Sequence, residues 1–240
     1  MPPGPVQYHT AMRRRPLPSL VLFARVPREG RVKTRLAPLL TAAGALRLYR
    51  AFLEDASRSY GAGTLWAPVL AAEPDPGDPA IAPLFPPPWR RERQRGETLG
   101  EKLTAAFERE FRGGAPAAIA VGSDHPSLSR ELLEETLGRV LAGAAAAAIP
   151  AEDGGYCAIA LSAGAPWMDA FRDVPWSTPD VLAVTRDRLA ARGAELDLVS
   201  GGYDVDRPED VGRLRRDLAL RDPEAADFPR ATALALTELP

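Results

Sequence analysis

Short runs of consecutive apolar residues alternate along this chain with stretches whose apolar positions recur at helical spacing. Residues 19–24 are almost wholly apolar, the pattern of a strand covered on both faces. From Thr41, a candidate cap, Leu46, Tyr49, Phe52 and Leu53 fall at helical spacing until Gly61 and Gly63 end the pattern. A strand at 65–72 follows, then a helix carrying Leu99, Leu103, Ala106, Phe107 and Phe111, and a buried strand at 117–121. Ser129 is placed to cap a helix with Leu132, Leu133, Leu137, Val140 and Leu141 on one face. Further on, 156–161 reads as a strand, 178–191 as a helix, 196–199 as a strand, and Asp206 to Leu218 as a last helix.

The alanine-rich run 142–148 is ambiguous, because alanine favours helix while Gly143 and Pro150 punctuate the run. The surrounding alternation calls for a strand into Ile149. Seven prolines within 73–88 deny that segment regular hydrogen bonding and predict an irregular loop. The order of elements predicts an α/β domain with a mostly parallel sheet and right-handed crossovers, whose ligands sit beyond the strand C-termini.

Composition changes this picture little. At 240 residues, with 45% hydrophobic residues, the chain suits one core. We read 1–18 as a flexible leader, 19–221 as the domain and 222–240 as a tail. Cys157 is the single cysteine, so no internal disulfide forms and a reducing, cytoplasmic setting is expected. A net charge of −2 gives no global attraction to nucleic acid. No stretch approaches the roughly 20 apolar residues of a membrane span.

Four segments carry candidate chemistry, each with a plainer alternative. After the first strand, a loop with Arg25, Arg28, Gly30, Arg31, Lys33, Thr34 and Arg35 offers forked donors and backbone N–H groups to anions; it reads equally as a solvated basic loop, and it is not a Walker sequence. Asp124, at the end of the 117–121 strand, suits a hard cation completed by substrate phosphates, or caps the next turn. In Glu152-Asp153-Gly154-Gly155-Tyr156 the glycines are turn chemistry, while the carboxylate pair suits acceptor hydroxyls or a base. Asp204 and Asp206 share one face of an extended segment; Asp206 with Glu209 also has capping-box spacing, so one acid reaches a metal while the other caps.

Together these segments resemble a bacterial family of GT-A-fold transferases, long catalogued as a domain of unknown function and named in places as arsenosugar-biosynthesis or radical-SAM-selenodomain-associated glycosyltransferases. The matching stretches are Gly30 to Leu36, Leu99-Gly100-Glu101, Gly122-Ser123-Asp124, Pro150 to Tyr156, Trp176-Ser177-Thr178 and Asp204 to Asp210. The resemblance implies a three-layer α/β/α sandwich of the nucleotide-diphospho-sugar transferase kind. It also implies donor phosphates on Arg25, Gly30, Lys33, Thr34 and Arg35, and Mg²⁺ or Mn²⁺ on Asp124 and Asp206. Catalysis would rest on Asp124 and Asp153, with Glu152, Gly154, Gly155, Tyr156, Trp176 and Ser177 on the acceptor side. Arg25 stands where the family has lysine, and Cys157 where a second aromatic is common. The implied activity is glycosyl transfer from a nucleotide-sugar to a small-molecule acceptor. Similarity to phospholactate and molybdenum-cofactor guanylyltransferases supplies the alternative of nucleotidyl transfer from a nucleoside triphosphate, and a non-catalytic nucleotide-binding module is the third reading.

Overall fold

The computed structural model describes residues 16–63 and 65–239, so most of the leader read at 1–18 lies outside the described residues. In chain order the elements are β1 (Ser19–Arg25), α1 (Ala42–Gly61), β2 (Ala67–Glu73), β3 (Arg90–Arg93), α2 (Leu99–Arg112), β4 (Ala117–Gly122) and α3 (Arg130–Leu141). They continue with β5 (Ala146–Pro150), β6 (Tyr156–Ser162), α4 (Val181–Ala190), β7 (Leu196–Leu198), α5 (Pro208–Ala219) and α6 (Arg230–Thr237). The seven strands form one sheet in the order β3-β2-β1-β4-β6-β5-β7. Only β6 runs antiparallel to its neighbours.

The strands are apolar on both faces because helices cover both. Leu20, Leu22 and Ala24 of β1 pack in one core with Leu48 and Phe52 of α1, Leu133 and Leu137 of α3, and Leu214 of α5. Across the sheet, Ala118 and Ala120 of β4 pack with Leu103 and Phe107 of α2, Phe171, and Leu189 of α4. The result is the expected three-layer α/β/α arrangement. The alanine run resolves the same way: Ala146, Ala147, Ala148 and Ile149 are fully buried in β5, sandwiched between both cores, where small side chains let the layers approach.

Caps fix the helix starts. Thr41 Oγ1 accepts the Gly44 N–H at 3.1 Å, and Thr98 and Glu101 form a reciprocal capping box at the start of α2. Helix α4 begins at Val181, three residues later than the spacing predicts, because Ser177 adopts a left-handed backbone (φ 66°) ahead of Pro179. The segment read as a tail carries α6, whose Ala235 and Leu236 pack into the α1 side of the core. Among the described residues no helix is long and apolar enough to cross a membrane.

Candidate functional site

Topology explains why three of the four motifs meet at one cleft, while the Glu152 to Tyr156 turn lies at the same sheet edge outside the cleft lining. From β1 the chain passes to β2 on one side, and β4 then docks on the other, so β1 and β4 flank the point where strand order reverses. The C-terminal ends of β1 and β4 are parallel neighbours, and because β6 is antiparallel its first residue, Tyr156, lies at that same edge, opposite Pro150. The buried Tyr49 hydroxyl ties the two strand ends together: it accepts the Arg25 N–H at 2.9 Å and lies 3.0 Å from Ser123 Oγ.

A cleft of about 690 Å³ opens above this edge, lined among others by Arg25, Lys33, Asp124, Trp176, Asp204 and Asp206. The loop after β1 enters it through an amphipathic local pattern. Val32 and Leu36 are buried and anchor the loop, while Arg31, Thr34 and Arg35 stay exposed on the cleft side. Gly30 takes a left-handed turn (φ 68°), and Lys33 does so without being glycine (φ 49°), a conformation that costs energy and concentrates at functional positions. This bend folds the Lys33 side chain, only 3% exposed, over the Phe52 ring.

Lys33 Nζ lies 2.5 Å from Asp124 Oδ1 and 2.8 Å from Asp206 Oδ1. Arg35 Nη1 reaches the other Asp206 oxygen at 3.5 Å. Burial works against the Lys33 charge, but the two carboxylates outweigh it and hold its pKa above the ordinary lysine value. Burial likewise opposes ionisation of Asp124, and the Lys33 ammonium overcomes it, so the carboxyl sits below the usual range. Both carboxylates keep oxygens toward the cleft, their side chains being 42% and 32% exposed. Arg25 and Arg31 form no ion pair among the described residues, which leaves two free cations on the cleft wall.

Asp206 does not cap α5. Asp210 Oδ2 accepts the N–H groups of Asp206 and Arg207 at 3.0 and 2.7 Å, so the capping spacing belongs one residue on from Glu209 and the Asp206 carboxylate is freed for Lys33. Asp124 is no helix cap either, since Ser129 caps α3. Asp204 lines the cleft beside them; burial raises its pKa, the neighbouring His125 counters, and the carboxylates of Asp153, Asp124 and Asp206 raise it further.

The Glu152 to Tyr156 turn divides. Glu152 is gripped by both terminal nitrogens of Arg213 at 2.5 and 2.7 Å on the surface, away from the cleft lining. Asp153 accepts the Gly155 N–H at 3.0 Å, closing a tight turn. Gly154 (φ 89°) is a packing requirement: a Cβ there would stand 2.1 Å from the Pro179 carbonyl oxygen. Tyr156 stacks edge-on against Trp176, centroids 6.4 Å apart, and Trp176 and the strained Ser177 form the far wall of the cleft. Trp176 also borders an adjoining hollow of about 450 Å³ between α2 and residues 168–176. Gly100 permits that approach, because a Cβ would lie 2.4 Å from Phe171 O. Sequence reasoning did not single out Gln94, which donates to the carbonyls of Ala24 and Ala71, or Lys102, paired with Glu73. Neither sits in a motif, and both reach the cleft from elements with their own structural explanation.

Comparison with known proteins agrees with this architecture. A crystal structure from Desulfovibrio desulfuricans G20, provisionally named a nucleotide-diphospho-sugar transferase, superposes with a TM-score of 0.80 at 26% identity, covering 92% of this chain and 96% of that one. The 4-diphosphocytidyl-2C-methyl-D-erythritol synthase of Anaerococcus prevotii DSM 20548 (TM-score 0.55, 12% identity, 85% and 96% covered) shares the fold. So does a cytidylyltransferase from Leptospira borgpetersenii serovar Hardjo-bovis strain JB197 (TM-score 0.53, 10% identity, 94% and 93% covered). No curated protein matches the sequence. The family model for uncharacterized proteins conserved in bacteria, DUF2064, matches residues 57–178, a span that takes in Asp124, the Asp153 turn, Trp176 and Ser177, and the chain is a member of that family.

Proposed function

We propose that this protein is a metal-dependent glycosyltransferase that moves a sugar from a nucleotide-diphosphate donor to a small-molecule acceptor. The observation that carries this reading is the convergence of Asp124 and Asp206 on a single cation position, held by Lys33 Nζ, at the foot of a cleft walled by unpaired arginines. The structural likeness to the Desulfovibrio protein, provisionally named a nucleotide-diphospho-sugar transferase, is consistent with it.

Two carboxylates with cleft-facing oxygens fit a hard divalent cation that keeps waters and takes substrate phosphate oxygens. Mg²⁺ or Mn²⁺ bound there would supply charge stabilisation to the departing nucleoside diphosphate. Arg25, Arg31 and Arg35, with backbone N–H groups around Gly30 and Thr34, grip the diphosphate. Lys33, freed from one carboxylate, adds a donor where negative charge builds up on the leaving group. Trp176 and Ser177 form the acceptor wall, backed by Tyr156 packed edge-on against Trp176, with the hollow between α2 and residues 168–176 receiving the acceptor body. Asp153 is the carboxylate on that side that takes the acceptor proton.

The test is a thermal-shift panel of UDP-, GDP- and ADP-sugars against UTP, GTP and CTP, each with and without Mn²⁺. A Mn²⁺-dependent rise in Tm with one nucleotide-sugar, absent in Asp124→Asn, supports the reading. Stabilisation by a nucleoside triphosphate alone moves the function to nucleotidyl transfer, and no response to any nucleotide refutes a donor site.

A further inference from the structure

Behind the cleft, on the core side of Asp124, three side chains of different donor chemistry converge. His125 follows Asp124 in the loop after β4, Cys157 is the second residue of β6, and Asp204 lies in the extended segment before α5. An imidazole nitrogen, the Cys157 sulfur and an Asp204 carboxylate oxygen all lie within 4.8 Å of one another. His125 and Cys157 are 8% and 2% exposed.

The backbone makes room for these groups. A Cβ on Gly122 would come within 2.8 Å of His125 Nε2, and one on Gly202 within 2.8 Å of Cys157 Sγ, so each side chain occupies space that a neighbouring residue other than glycine would take. Asp204 Oδ1 is buried and receives no hydrogen bond. His125 Nδ1 stands 3.1 Å from it, yet that nitrogen's hydrogen-bonding partner is the Tyr203 carbonyl oxygen at 3.2 Å. An acceptor oxygen out of water with no donor costs free energy, and a cation at the centre of the three groups would remove that cost.

We propose that His125, Cys157 and Asp204 form a Zn²⁺ site, with three protein ligands and water in the fourth position. Nitrogen, thiolate and carboxylate together are a zinc set, whereas the all-oxygen pair Asp124 and Asp206 suits Mg²⁺ or Mn²⁺. The two sites therefore take different metals although their residues adjoin. On binding, the Cys157 thiol gives up its proton to solvent as the Zn–S bond forms. The ion would pin the loop after β4 to residues 203–206, which touch already through the Val205 N–H and the Asp124 carbonyl at 3.0 Å. It would thereby fix both cleft carboxylates from behind.

Cobalt(II) is the probe, because a thiolate ligand gives Co²⁺ a near-ultraviolet charge-transfer band and tetrahedral geometry gives intense visible bands. The chelator-treated full chain should take up one equivalent of Co²⁺ with both signatures and lose them to Zn²⁺ but not to excess Mg²⁺. Cys157→Ser, nearly isosteric, should abolish the charge-transfer band, while Asp124→Asn should keep it. In the unsubstituted protein, Zn²⁺ at ten times its dissociation constant should slow alkylation of Cys157 by roughly ten-fold, through the population of metal-free chain. Absence of the charge-transfer band, its survival in Cys157→Ser, or an unchanged alkylation rate overturns the site. No nucleotide enters these measurements, so they fail separately from the donor panel.

Discussion

Lys33 Nζ stands 2.5 Å from Asp124 Oδ1, joining a strained loop after β1 to the end of β4. With Asp206 on its other side, the ammonium is the counter-charge that lets two carboxylates point at one place. Lys33→Met keeps the aliphatic packing on Phe52 and removes that charge. We expect a loss of about 1–3 kcal/mol in urea unfolding, less than for a fully buried pair because both carboxylates still meet solvent. Mn²⁺ should restore more stability to this variant than it adds to the wild type. Equal Mn²⁺ effects on the two proteins would count against a shared cation position.

Arg35 reaches Asp206 only at 3.5 Å, with its side chain 67% exposed, so its structural contribution is small. Arg35→Ala should leave the unfolding midpoint nearly unchanged and weaken nucleotide binding by about 1–3 kcal/mol, the scale of a lost charge-assisted contact. Calorimetry with whichever nucleotide stabilises the wild type reads both quantities. A variant with unaltered affinity would remove Arg35 from the phosphate loop.

Asp206 and Asp210 separate function from structure within one motif. Asp210→Ala removes the acceptor for two N–H groups at the start of α5 and should cost about 1 kcal/mol while preserving Mn²⁺-dependent nucleotide binding. Asp206→Asn should do the reverse. If Asp210→Ala abolishes the metal effect and Asp206→Asn does not, the assignment within this segment is inverted.

The helices and buried strands were legible because burial on both faces and amphipathic spacing write themselves into apolar runs, as in β1 and α1. The edge strand β3 was not: Arg90, Arg91, Glu92 and Arg93 carry no apolar alternation, and only the parallel ladder with β2 makes them a strand. Within the site, the spacing Asp206 to Glu209 mimicked a capping box, and one residue of offset hid the fact that Asp210 does that work. Asp124 and Lys33 were individually readable as candidates. Their contact spans 91 residues of chain across two loops, a relationship the topology makes and local pattern does not.

Two glycines test how much of the Asp153 turn is packing. Gly154 (φ 89°) faces Pro179 O, with 2.1 Å to an added Cβ, whereas Gly193 (φ 77°) has open space around it. Gly193→Ala should cost about 1 kcal/mol, the backbone term alone. Gly154→Ala should cost about 2 kcal/mol more, because the turn or the start of α4 must move. Similar losses for the two in urea unfolding would show that the turn yields freely and that the close approach to Pro179 is not required.

Tyr49 links the strand ends under the cleft, and its titration exposes that link. Burial, reinforced by the nearby Asp124 carboxylate, raises its pKa from 10.0 to about 12 in the folded protein. The unfolded chain therefore releases this proton first as pH rises, and the stability tied to the neutral phenol is fully present below pH 10.0 and lost as pH climbs toward about 12. Tyr49→Phe has no such proton and leaves the Arg25 N–H without its 2.9 Å acceptor. At pH 8 the variant should be less stable than wild type by about 1–2 kcal/mol. Between pH 10 and 12 the difference should shrink, since wild type alone bears the cost of keeping Tyr49 protonated. The remaining tyrosines and lysines titrate in both proteins and cancel in the difference. Urea unfolding of the pair at pH 8, 10 and 11 reads the convergence, and a gap that stays constant over that range would mean the Tyr49 hydroxyl ionises as readily folded as unfolded.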